Sequence, residues 1–177
     1  IKHACSLNNQ GVDLLISGDS SGAMSSFKMA MDILKEAVTE DANAVLTSFD
    51  GLNQVNAEAA LPICESRLTV PGLQGVPCYV YNHGIMIVPT ADEESQKMIS
   101  LYSEIVPFNM ALACHHEGIL GHETSLKRAS RFYSMTVQIL NGNIVPGGVS
   151  AAILTLLALN NKAQIHYDQC EHIQCVD

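Results

Sequence analysis

Apolar and small residues recur at helical spacing towards both ends of this chain and lose that spacing in the middle. Leu7, Gly11, Leu14 and Leu15 share one helical face. Ala23, Phe27, Ala30, Met31 and Leu34 follow at i, i+4, i+7, i+8 and i+11, which marks a second helix. Between them stands Gly18-Asp19-Ser20, a glycine that stops one helix followed by residues that cap the next. The pattern predicts a helix pair over 4–38. Small residues at Gly11, Ala23 and Ala30 let the two helices approach closely, and Phe27 fills the space between them.

The periodicity then changes. Pro62, Pro71, Pro77 and Pro89 punctuate an insertion over 41–90. Within it, Cys78-Tyr79-Val80-Tyr81 and Ile85-Met86-Ile87-Val88 flank Asn82-His83-Gly84, the signal of a β-hairpin. Arg67-Leu68-Thr69-Val70 predicts a further short strand. Helix resumes over 91–140, opened by a capping box of Thr90 and Glu93. Ile99, Tyr102, Ile105 and Val106 lead up to Pro107, which is expected to kink or break the helix. A glycine- and asparagine-rich loop, Asn141 to Gly148, precedes a last helix over 149–172.

The chain also echoes itself. Leu7-Asn8-Asn9-Gln10-Gly11 returns as Leu159-Asn160-Asn161-Lys162-Ala163, with a weaker copy at Asn109-Met110-Ala111-Leu112-Ala113. Gly11, Ala23, Phe27 and Ala30 stand at the offsets of the tetratricopeptide repeat, and this segment resembles that family. Leu7 stands where the family has Trp, Leu14 where it has Tyr, and Lys35 where it has its closing Pro. Phe108 to Ala113 with His116 is similar to a second first-helix, and Ser125, Ala129 and Phe132 to its partner. Leu159, Ala163 and His166 are similar to a third first-helix. The wording is also similar in style to helical-repeat proteins of diatoms and related algae.

The resemblance implies a mainly α, single domain over 1–177: antiparallel helix pairs stacked in a short right-handed TPR-like superhelix, interrupted by an insertion containing a β-hairpin. It also implies a peptide groove on the inner face of the first helices. By register, that face carries Asn8, Asn9 and Val12, then Met110, Ala111 and Cys114, then Asn160, Asn161 and Gln164. One known use of such a groove clamps a terminal carboxylate with Lys, Arg and Asn. Here the amides are present and the cations are not, so a carboxylate would lose its hydration without a countercharge. An uncharged, amide-rich groove suits main-chain hydrogen bonds to an extended segment. The competing role for Asn9 and Asn161 is to bind backbone between adjacent helices.

Composition narrows the function classes. The 177 residues carry a formal net charge of -9 and no basic run, so there is no electrostatic footprint for a nucleic-acid backbone or an anionic membrane. No apolar stretch reaches the ~18 residues of a membrane span. Six cysteines, none in C-x-x-C spacing, read as reduced and mostly buried thiols, which favours an intracellular reducing compartment. The first residue is Ile1 rather than Met, and a helical pattern breaks off between Glu171 and Asp177. A processed or partial chain is expected, with the organelle left open.

Three clusters are candidates for chemistry. Gly18-Asp19-Ser20-Ser21-Gly22 fits G-x-S-x-G, which makes Ser20 the nucleophile of a serine hydrolase if a strand precedes it; the other reading is an interhelical turn. His166, Cys170, His172 and Cys175 are all zinc-ligand types, and His166 and Cys170 are i, i+4, but their spacing matches no common zinc module. Among His115, His116 and His122, His116 falls on the helix-packing line, while the other two are expected to face solvent or the loop. Asp41, Asp92, Glu93 and Glu94 read as solvated or helix-start charges, and the seven methionines as gap-filling core. The expected function is a non-catalytic interaction scaffold or peripheral subunit of a larger assembly, with no cofactor. Each helix pair leaves an apolar flank that a longer chain or a neighbouring subunit would cover.

Overall fold

A computed structural model describes residues 1–45, 63–67, 81–87, 95–142 and 149–174. The protein is mainly α. The order is α1 (Lys2–Ile16), α2 (Ser20–Val45), β1 (Ile63–Arg67), β2 (His83–Ile87), α3 (Ser95–Ile119), α4 (Glu123–Gly142) and α5 (Val149–Gln174). Each helix packs on the next in sequence, α1 on α2 through to α4 on α5, and β2 lies against α1 and α3. Among the described residues, no helix is long and apolar enough to cross a membrane.

Two helix ends use the same device. Gly18 takes φ +88°, so that the Gly18 and Asp19 amides reach back to the carbonyls of Leu15 (3.1 Å) and Leu14 (2.9 Å). Asp19 then caps α2, its Oδ1 accepting from the Gly22 amide at 2.8 Å. Gly121, at φ +105°, repeats this turn between α3 and α4, with its amide on the Gly118 carbonyl and the His122 amide on that of Glu117. Only glycine holds that conformation without strain.

The α1–α2 seam is closed by Gly11 and Phe27. A Cβ placed on Gly11 would lie 2.6 Å from Phe27 Cδ1, so the helix backbone and the ring are in direct contact. Phe27, Ala23, Ala30 and Leu34 are buried with Leu7, Val12 and Leu15 in one core that continues through Tyr102, Ile105, Phe108 and Tyr133. On α4 the buried face is Ser125, Ala129, Tyr133 and Thr136, whereas Phe132 is only half-buried. The aromatic that enters the core is therefore one residue later than the repeat register placed it.

Other expectations shift as well. Helix α2 runs to Val45, so the insertion does not begin at residue 41. Pro107 lies inside an unbroken α3, where the neighbouring Tyr102, Ile105, Val106 and Phe108 are all buried and tertiary packing offsets the lost backbone bond. The hairpin turn at Asn82-His83-Gly84 does not form. His83 and Gly84 instead open β2, which pairs antiparallel with β1, Ile63 opposite Ile87 and Arg67 opposite His83. Of the expected strand Arg67 to Val70, only Arg67 is described. The Thr90–Glu93 capping box, Cys78 to Val80 and the loop 143–148 lie outside the described residues.

Candidate functional site

The second edge of β2 faces side chains rather than another strand. In an extended chain the peptide groups of alternate residues point to the same edge. Those of Tyr81, Ile85 and Ile87 are met by asparagine amides from three helices. From α1, Asn9 accepts from the Ile87 amide (2.8 Å) and donates to its carbonyl (2.7 Å). From α3, Asn109 accepts from the Ile85 amide (2.9 Å) and donates to its carbonyl (2.8 Å). From α5, Asn161 accepts from the Tyr81 amide (2.7 Å) and donates to its carbonyl (2.8 Å). Each carboxamide mimics the opposite face of a peptide group, so the strand is paired as though by a neighbouring strand. It runs from α5 across α3 to α1.

A further set of bonds holds these amides in place. Asn8 donates to the Ile85 carbonyl (3.0 Å), and its own oxygen accepts from Asn109 (2.9 Å). The thiol of Cys5 lies 3.4 Å from the Ile87 carbonyl. Asn161 also donates to the hydroxyl of Tyr133 (3.0 Å), which sits 3.3 Å from His115 Nδ1. Which group donates across that contact depends on the His115 tautomer, and the second ring nitrogen is Nε2. That Nε2 is buried and has no partner among the described residues. Burial pushes the Tyr133 hydroxyl well above its ordinary pKa. Burial, reinforced by neighbouring His116, lowers that of His115 to about 4. The relay from strand to interior is therefore neutral at ordinary pH.

Side chains of the strand seat it. Ile85 and Ile87 are buried, and Gly84 crosses Val12 so closely that a Cβ there would stand 2.8 Å from Val12 Cγ1. Tyr81 packs on the Phe108 ring with centroids 6.1 Å apart, and Phe108 on Tyr133 at 5.8 Å. Every group named at the strand is uncharged.

Of the residues expected to line the groove, Asn8, Asn9, Val12 and Asn161 meet the strand. Met110 and Cys114 are buried in the core, where burial pushes the Cys114 thiol up to about 11. Asn160 is exposed, and the Gln164 amide donates to Asp168 one turn on along α5 (2.7 Å). Asn9 and Asn161 bind strand backbone rather than backbone of an adjacent helix. Asn109, Tyr133 and His115 were missed. The weak echo aligned Asn109 with Leu7; sliding it by one puts Asn8 and Asn109 in equivalent places. His115, expected to face solvent or the loop, is buried within α3, while His122 is exposed in the α3–α4 connection.

The other candidates stand apart. Val12–Ile16 is helical, so Ser20 opens α2 after a helix and lacks the strand-to-helix bend of a nucleophile elbow. Its hydroxyl lies 3.3 Å from Nδ1 of His116, whose pKa burial lowers against an opposing pull from Glu117. His166 is exposed on α5, Cys170 and His172 belong to the same helix, and Cys175 lies outside the described residues. Among the described residues, no three His, Cys, Asp or Glu side chains are placed to hold a metal ion. Cys5 and Cys114 are buried and unbridged. Comparison with known proteins returns no significant match to a family model, a curated protein or a solved structure.

Proposed function

We propose that this chain is a non-catalytic interaction scaffold of tetratricopeptide-like architecture whose groove reads the main chain of an extended segment. In this reading α1–α2 and α3–α4 are antiparallel helix pairs, α5 is the first helix of a third, and α1, α3 and α5 line the concave side. The single observation that carries it is the paired amide contact of Asn9, Asn109 and Asn161 with Ile87, Ile85 and Tyr81. Paired contacts of this kind recognise any peptide group and no particular side chain, which is what a groove for extended segments requires. In the isolated chain, the occupant is its own strand. A place in a larger assembly is supported by α5, where Ile153, Leu156, Leu159 and Tyr167 are exposed, Leu156 to 66%.

The test is direct. A fluorescent peptide copying residues 79–89 is titrated into the wild-type chain and into the Asn9→Ala/Asn109→Ala variant. Saturable binding, at least ten-fold weaker in the variant and insensitive to 1 M salt, is the expected result. Equal binding to both proteins would remove the groove from consideration. A fluorophosphonate probe should leave Ser20 unlabelled.

A further inference from the structure

The amide contacts fix an extended backbone, yet they leave open which sequence the groove prefers. That preference has to come from the side chains of the occupant, and the resident strand displays them. At Gly84 the strand lies against the Val12 side chain: a Cβ would stand 2.8 Å from Cγ1, 3.3 Å from Cγ2 and 3.5 Å from Cβ of Val12. Val12 is fully buried, and the adjacent Gly11 is pressed against Phe27, so α1 has no room to retreat. The next residue, Ile85, and the one two further on, Ile87, are buried, whereas Met86 between them is only half-buried. Four residues before Ile85, Tyr81 lies against Phe108.

We propose, building on the groove reading above, that the resident strand Tyr81–Ile87 is a stand-in for a partner segment with the pattern aromatic-x-x-Gly-Ile-x-Ile, and that such a segment displaces it. The glycine is the selective position, because Val12 closes the groove to any side chain there. Branched aliphatic residues one and three places later fill the sites now held by Ile85 and Ile87. The half-buried position between them is free to vary. The partner is uncharged at the aromatic, Gly and Ile positions, since the groups that hold the strand are the main chain of β1 on one edge and amides, a thiol and apolar side chains elsewhere. Because the chain's own strand is tethered, it competes at high effective concentration, and the observed affinity of a free segment is reduced accordingly.

The experiment uses the full chain, labelled with nitrogen-15, and unlabelled peptides copying residues 79–89. Three peptides are compared: the native sequence, one with Gly84→Ala and one with Gly84→Val. Amide exchange of the chain's own Ile85 and Ile87 is read at the same time. The native peptide should bind and speed exchange of those two amides at least ten-fold, as the resident strand leaves. The Gly84→Ala peptide should bind about ten-fold more weakly and the Gly84→Val peptide not measurably. The chain variant Val12→Ala should restore the Gly84→Ala peptide to within about three-fold of the native one. If the variant does not fold, the ranking of the three peptides on the wild-type chain still decides the matter.

Equal affinity of all three peptides, with displacement, would overturn the glycine rule and leave the groove reading standing. Binding of the native peptide while Ile85 and Ile87 stay protected would place it elsewhere on the protein and overturn displacement. Failure of every peptide to bind would sink both the pattern and the groove.

Discussion

Helix α1 meets two neighbours in opposite ways. Against α2 it presents Gly11 to the Phe27 ring, an apolar seam in which nothing is directional and every cubic ångström is used. Towards β2 it presents Asn8 and Asn9, whose bonds at 2.7 to 3.0 Å are directional and satisfy peptide groups that would otherwise be buried unpaired. The difference teaches which kind of change each seam resists. The apolar seam fails when volume changes. The amide seam fails when a donor or acceptor is lost, and is tight in volume where Gly84 crosses Val12.

The largest way to break the comparison is Phe27→Ala. Removing a fully buried ring should cost about 4 kcal/mol, seen as a lower urea midpoint for the whole chain. If only strand exchange responded, the two seams would not differ as described.

Acid probes the relay behind the amide seam. The pKa of His115 is lowered by burial to about 4 from an ordinary 6.5, so between those values the unfolded chain binds a proton that the folded one refuses. Its contribution is fully present above pH 6.5 and is lost as pH falls towards 4, about 3 kcal/mol in all. In His115→Gln the fall over this window should be shallower than in wild type, by comparison of urea midpoints at pH 7 and 4.5.

Asn109→Ala comes next. It leaves the Ile85 amide and the Asn8 oxygen without their partner, while the Ile85 carbonyl keeps Asn8. About 2 kcal/mol should be lost, with exchange at Ile85 and Ile87 rising before the α1–α2 amides respond. Uniform acceleration would mean the strand is an inseparable part of the core.

The smallest effect sharpens the contrast. Asn160 and Gln164 carry the same carboxamide as Asn161 on the same helix, but Asn160 is exposed and Gln164 donates to Asp168. Asn160→Ala and Gln164→Ala should each shift stability by less than about 0.5 kcal/mol and leave peptide affinity unchanged.

Much of the helical part was legible in the chain. The α1–α2 pair, the Gly18 turn and the Asp19 cap are local features, written within a few residues and enforced by backbone sterics. Some of the asparagines could be read as well: of those singled out, Asn8, Asn9 and Asn161 do meet the strand. The hairpin could not. Asn82-His83-Gly84 carries a turn signal, yet the backbone there extends, because β1 on one edge and amides on the other pair more peptide groups than a three-residue turn would. Phe132 differs for another reason. The α1–α2 and α3–α4 connections are equal in length, and Ser125 and Ala129 are buried as the register places them, but α4 takes its next core residue four after Ala129, at Tyr133, and not three after it, at Phe132.

What the sequence determined by itself is the set of helices and the stop of the first one at Gly18, but neither the end of α2 nor the course of α3 through Pro107. Only the tertiary structure decided which amide serves which peptide group. Asn8 and Ile85 are 77 positions apart and Asn8 and Asn109 are 101 apart, so no local pattern records their meeting. Side-chain hydrogen bonds reach only about 3 Å, and a partner at that range is chosen by how whole helices pack, which depends on the entire core at once.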